Sequence, residues 1–205
     1  MSHSPLIRKA QPSDSASIAV VHGRQIPWGL LSALGGEFVT TFYRALIESP
    51  WGFAFVAERD GHIVGFASGV VNWRRFYLEF VRRHIRLATR ALVSGLRRMR
   101  WKRLLETTRY ASSGALPPAE LVAIALEPEA RGSDVAGDLA RRVLQEFAQR
   151  NVRAVRVTAG GGNVPANRLY EKVGFTLHSR AEIHPGETAV VYVITLDSMQ
   201  HPVST

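Results

Sequence analysis

The chain predicts an α/β (α+β) fold built on a mixed sheet with helices on both faces. Three observations carry this expectation. Hairpin patterns come first along the chain, and strand–helix–strand–helix patterns follow. The run Val122 to Leu126 is apolar at every position, as a central strand covered on both faces should be. At 205 residues, 46% of them hydrophobic, the chain can bury one sizeable core.

The elements follow in order. Leu6-Ile7-Arg8-Lys9 reads as the first strand, and Gln11-Pro12-Ser13-Asp14 opens a helix over about 15–23 with an Asp or Ser cap. Pro27-Trp28-Gly29 breaks the chain. A helix resumes from Phe38 to Ile47, with Phe38, Phe42, Ala45 and Leu46 on its apolar face. Trp51 to Ala57 is a strand, Arg59-Asp60-Gly61-His62 a turn, and Ile63 to Val71 the hairpin partner. Further on, strands are expected near Leu121–Leu126 and Ala154–Thr158, and helices from about Asp134 to Arg150 and after Asn163. Strands near Phe175–Ile183 and Thr188–Leu196 close the chain, joined by the turn His184-Pro185-Gly186-Glu187. One domain over 1–196 and a frayed tail at 197–205 are the expected organisation.

Composition narrows the function. The chain has no cysteine, which removes disulfides, thiolate nucleophiles and Cys-based metal sites; no metal is expected. Met1 to Gln11 lacks the apolar run of a signal peptide, and no stretch approaches the ~20 apolar residues of a membrane span. A cytoplasmic location is the expectation.

The formal net charge of +9 is concentrated. Between Arg74 and Arg109, twelve Arg or Lys residues stand against Glu79 and Glu106, which leaves the rest of the chain at −1. Within this segment Tyr77, Val81, Ile85, Ala88, Leu92, Leu96 and Met99 recur at three- and four-residue steps. Arg82, Arg86, Arg90 and Arg97 follow a similar period on another face. The pattern is an amphipathic basic helix over about 74–109, broken near Ser94-Gly95. Three readings stay open: a lid or homodimer surface, a platform for an anionic or carbohydrate-linked substrate, or contact with an anionic surface. In the last case a peripheral membrane contact is favoured over nucleic acid.

Two linked segments carry the chemistry. In the first, the strand ending at Leu126 turns through Pro128 and Arg131-Gly132-Ser133 into a helix. Backbone N–H groups at such a turn lack intrahelical partners, and the helix dipole adds partial positive charge, so a pyrophosphate is accommodated there with Arg131 as a further cation. An ordinary strand-to-helix connection would look the same. In the second, Asn163, Ala166 and Tyr170 share one helix face. Asn163 reads equally as an N-cap and Tyr170 as a core aromatic, with Pro165 acceptable in the first turn.

These stretches resemble the GNAT superfamily of acetyl-CoA-dependent N-acetyltransferases. Its phosphate-loop signature, Arg/Gln-x-x-Gly-x-Gly/Ala, falls on Arg131 to Ala136. Its later signature, Asn-x-x-Ala-x-x-Leu-Tyr-x-Lys-x-Gly-Phe, is matched from Asn163 to Phe175 at every specified position. The resemblance implies a mostly antiparallel central sheet, with the basic helices inserted between strands 3 and 4. It further implies that the strands ending at Leu126 and Thr158 splay apart to admit the pantetheine arm of acetyl-CoA. Ile124, Ala125 and Leu126 would pair with that arm, and an N–H near Leu126 would polarise the thioester carbonyl. Arg131, Gly132, Ser133, Asp134, Val135 and Ala136 would hold the phosphates, with Asn163 and Ala166 along the arm. Tyr170 would protonate the departing thiolate, its ordinary pKa of ~10 being close to that of an alkyl thiol.

One position departs from the signature. Asp134 stands where the phosphate loop has its central glycine. A carboxylate ~5 Å from a phosphate costs about 3 kcal/mol at an effective dielectric of ~20. Either that repulsion weakens the cofactor, and Asp134→Gly strengthens it, or Asp134 caps the helix and points its charge away. For the amine proton, the run Ala119 to Leu126 is similar to the strand of histone-acetylating members that carries a glutamate base, which points to Glu120. His184 and Glu187 are alternatives. The function implied is direct transfer of acetyl to a primary amine. The alternative is a non-catalytic CoA-binding regulatory domain that docks through its basic helices.

Overall fold

The computed structural model of the protein describes residues 4–85, 116–132, 134–184 and 187–196, the side chains of 30, 183, 184 and 187 excepted. Seven strands form one sheet: β1 (Leu6–Lys9), β2 (Gly52–Arg59), β3 (His62–Val70), β4 (Ala119–Leu126), β5 (Ala154–Gly160), β6 (Thr176–His184) and β7 (Glu187–Thr195). Their order is β1-β2-β3-β4-β5-β7-β6, and every neighbouring pair is antiparallel except β4–β5. The helices among the described residues are α1 (Ser15–Gln25), α2 (Leu30–Ala33), α3 (Gly36–Glu48), α4 (Trp73–Arg83), α5 (Val135–Gln149) and α6 (Val164–Lys172). The mostly antiparallel sheet implied by the resemblance is therefore present.

Period-two alternation along β2 sorts the core into two layers. Phe53, Phe55 and Ala57 face α5, packing with Leu139, Val143 and Phe147. Ala54 and Val56 face the other way, toward Ile18 of α1 and Phe42 and Leu46 of α3. The β2–β3 turn uses Asp60 at φ 51° and Gly61 at φ 76°, the left-handed pair that matches a hairpin's twist. At Gly69 on β3 a Cβ would stand 2.7 Å from the rings of both Phe53 and Phe147, so only glycine lets α5 close onto the sheet. At the N-terminus, Arg8 bridges Asp14 at 2.7 Å and Glu58 at 2.7 Å, which ties β1 to β2 and to the start of α1.

Two local differences from the expected elements have physical reasons. α3 begins at Gly36 rather than near Phe38, because Gly35 at φ 94° turns the chain directly into the helix. The one-turn α2 precedes it, too short to leave a periodic signal. α4 begins the basic segment: Asn72 caps it by accepting the Arg75 N–H at 3.0 Å, and Phe76 and Phe80 bury against Phe42. The remainder of that segment, 86–109, the residues after it to 115, and the tail at 197–205 lie outside the described residues. No helix of the described residues is long and apolar enough to cross a membrane.

The site is positioned by β4. Toward β3 it is paired from Gly65↔Leu126 to Val70↔Glu120, with a bulge that leaves Val122 without an opposite residue. Toward β5 the pairing is limited to Ala119↔Val155 and Glu120↔Arg156. Beyond Glu120 the two parallel strands part.

Candidate active site

Where β4 and β5 separate, the backbone of Leu121 to Leu126 has no strand partner on the β5 side. Ala125 is buried, and Ile124 and Leu126 are half-buried, so this flank is an apolar slot edged with peptide groups. An extended chain bearing amides fits such a slot by the logic of an added strand.

Glu120 closes the narrow end. Its Oε2 accepts from Arg156 Nη2 at 2.8 Å and Nε at 3.0 Å. Both side chains are largely buried, 19% and 15% exposed. Burial raises the Glu120 pKa, and Arg156 opposes that rise. Glu120 pairs with Val70, whose side chain belongs to the α1–α3–α4 core, so the carboxylate turns toward that face. It is not the exposed carboxylate that a strand start suggests. Arg156 escaped the sequence reading; its signal was a lone charge inside Val155-Arg156-Val157.

Beyond the wide end lies the loop into α5. Gly132 adopts φ 84°, a left-handed turn that lets the chain swing into the helix. The first-turn amides of α5, Val135 and Ala136 among them, have no intrahelical acceptor. Arg131 is exposed and gives Nη2 to Gln25 Oε1 at 2.5 Å; Gln25 Nε2 in turn donates to Glu127 Oε2 at 2.6 Å. The end of α1 is thereby stitched to the loop. Ser133 lies outside the described residues.

Asp134 does not act as a side-chain cap. Its carbonyl accepts the Asp138 N–H at 2.9 Å, but its carboxylate makes no cap hydrogen bond. It accepts instead from Lys172 Nζ at 2.6 Å and from Arg141 Nη2 at 2.6 Å. Lys172, then Arg141, hold its carboxyl below the usual carboxylate range. The capping expectation is thus corrected: two cations outcompete the helix amides, and the charge is turned toward α6. The carboxylate lies against Gly137, where a Cβ would stand 2.6 Å from Oδ1.

The second signature folds as its residues dictate. Asn163 caps α6, accepting the Ala166 N–H at 3.3 Å. At the other end Gly174 takes φ 100°, its N–H reaches the Glu171 carbonyl, and the Phe175 N–H reaches the Tyr170 carbonyl. That is a Schellman ending, which needs glycine at this position and places Phe175 against Tyr170, rings 5.9 Å apart. Tyr170 is buried, also flanked by Tyr192 at 6.1 Å, and its hydroxyl has no hydrogen-bond partner among the described residues. Burial pushes its pKa well up, so the near match to a thiol drawn from the ordinary value does not hold in the fold. Asn167, not singled out from the sequence, donates Nδ2 to the carbonyls of Gly160 at 3.3 Å and Gly161 at 3.1 Å. Its buried Oδ1 has no partner among the described residues.

A parallel pair that opens beside a strand-to-helix loop is the arrangement that the resemblance implied. Residues 25–175 match the model of the acetyltransferase (GNAT) family. The chain belongs to the GNAT family. As a member it is an acyltransferase. Solved GNAT-fold structures align over nearly the whole chain. The yncA protein of Salmonella typhimurium, solved with its cofactor acetyl-CoA, has a TM-score of 0.62 at 14% identity, covering 99% of this chain and 100% of its own. An N-acetyltransferase from Staphylococcus aureus has 0.62 at 14% identity, covering 96% and 100%. Ribosomal-protein-alanine N-acetyltransferase from Brucella melitensis has 0.61 at 15% identity, covering 93% and 99%. No curated protein sequence matches the chain. At such identities the structures show the GNAT fold alone.

The remaining candidates are His184 and Glu187. They are not in an open loop: they end β6 and begin β7 and face each other in register. Their side chains, and the turn at 185–186, lie outside the described residues.

Proposed function

We propose that this GNAT acyltransferase moves an acetyl group from acetyl-CoA to a primary amine in one direct step. The observation that carries the reading is the opening of β4 from β5 immediately beyond Glu120. The slot has a helix N-terminus at its wide end and a buried carboxylate at its narrow end.

The first-turn amides of α5 and Arg131 bind the pyrophosphate. The open flank of β4 at Ile124, Ala125 and Leu126 pairs with the pantetheine arm. The orphaned Oδ1 of Asn167 suits one of that arm's amide N–H donors, and the Nδ2 of Asn163 can donate to one of its carbonyls. Acetyl-CoA supplies the activated acyl carbon. Glu120 takes the proton from the amine as its nitrogen bonds to that carbon, and a backbone N–H near Leu126 stabilises the charge on the carbonyl oxygen. The carbon–sulfur bond breaks, and Tyr170 gives its phenolic proton to the sulfur. The products are an amide and the CoA thiol. Burial raises the Tyr170 pKa, which keeps the phenol in the protonated form a donor needs while making it a weaker acid. Having no cysteine, the chain has no thiol to carry a covalent acetyl, which supports direct transfer.

Calorimetric titration with acetyl-CoA in moderate salt, followed by CoA-release assays over an amine panel, tests this. One site per chain and release with at least one amine are expected. Absence of binding contradicts the reading. Binding without release for any amine favours the CoA-binding regulatory alternative.

A further inference from the structure

α4 presents an outer face whose chemistry the acetyl-transfer site does not use. Phe76 and Phe80 point into the core. Arg74, Leu78 and Arg82 recur at four-residue steps on the side directly away from them. Tyr77 is 57% exposed and Leu78 54% exposed, large apolar side chains in a helix that is otherwise cationic outside. Arg75 lies over the Trp51 ring at 4.7 Å and Arg83 pairs with Glu79 at 3.0 Å. Arg74 and Arg82 have no acidic partner among the described residues. Beside this face runs an open groove of about 460 Å³ between Pro50, Trp51 and the helix. The chain continues with the same chemistry, since 74–109 holds twelve Arg or Lys against two Glu.

We propose that α4 docks the protein onto an anionic lipid surface, its arginines against headgroups and Leu78 and Tyr77 in the interfacial layer. Exposed apolar tips among cations are what an interfacial helix needs, and arginine stems snorkel to keep the charge at the headgroups. A nucleic acid uses the charge but has no layer to take Leu78. A second copy meeting this face about a twofold axis through Leu78 sets Arg74 of each copy against Arg82 of the other, cation on cation. The helix packs on the face to which Glu120 turns, and the Trp73 N–H donates to the Pro118 carbonyl at 3.0 Å, two residues before Glu120.

The test needs no acetyl-CoA, so its failure is separate from failure of the acetyl-transfer reading. The full chain is sedimented at near-physiological salt with vesicles of phosphatidylcholine alone, and of three parts phosphatidylcholine to one of phosphatidylglycerol. Capture by the anionic vesicles only is expected. Arg74→Glu with Arg82→Glu should weaken it at least tenfold, and Tyr77→Ser with Leu78→Ser several-fold. Thermal melting checks that each variant folds, and Arg82→Glu alone replaces a double variant that does not. No capture overturns the proposal, as does capture that none of these substitutions weakens. Release by a soluble polynucleotide, together with indifference to loss of Tyr77 and Leu78, assigns the face to a nucleic acid instead.

Discussion

The two flanks of β4 are made of the same eight residues and do opposite work. Toward β3 the strand is paired from Glu120 to Leu126 except at the Val122 bulge, and α5 packs over β3 through Phe147 on Gly69. Toward β5 it is paired at two positions and then left open. The closed flank uses its peptide groups in the sheet, whereas those of the open flank have no strand partner and, in the proposal above, meet the pantetheine arm. The bulge at Val122 lies two residues past Glu120, where the β5 pairing ends.

The sharpest way to break the comparison is to damage each flank separately. Phe147→Ala, on the closed side, removes a fully buried ring 4.9 Å from Phe53. It should cost about 3–5 kcal/mol of stability by denaturant unfolding. Tyr170→Phe, on α6, should do the reverse. It should lower kcat by about 100-fold or more while the melting temperature holds, because the hydroxyl has no described partner to lose. A kcat within threefold would remove Tyr170 from the chemistry.

Glu120→Gln comes next, with kcat down about 10- to 100-fold. Glutamine keeps an acceptor for Arg156, which limits the stability loss that an unpaired buried guanidinium would cause. The base must be ionised, and burial raises its pKa, so the acidic limb of the wild-type rate profile should lie above the ordinary glutamate range of ~4.3. The variant's profile should lose that limb. An unchanged profile would falsify the base assignment.

The smallest effect belongs to Asp134. Bare repulsion predicts a large gain in cofactor affinity for Asp134→Gly, but Lys172 and Arg141 already neutralise the carboxylate, and solvent screens it. The gain should stay under about threefold by calorimetry. A tenfold gain would mean that the carboxylate leaves its partners and meets the phosphates.

These cases also mark what the sequence disclosed. The strand-to-helix turn and the Asn163 cap were legible because each is a local backbone requirement written within a few residues. The basic helix was legible at its start through period alone. What stayed hidden were pairings between distant positions. Glu120 meets Arg156 across 36 residues, Asp134 meets Lys172 across 38, and Gln25 meets Arg131 across 106. Such contacts depend on the parallel β4–β5 crossover and on where α1 ends, and no local pattern encodes them. Asn167 was missed for a related reason: an orphaned oxygen appears only once its neighbours are in place.

Amide hydrogen exchange with and without acetyl-CoA tests the open flank most directly. Protection should rise at least tenfold within Leu121 to Leu126 and near the end of β5, and stay unchanged across β2. Binding that leaves the β4 amides exchanging as before would place the cofactor elsewhere and contradict the account.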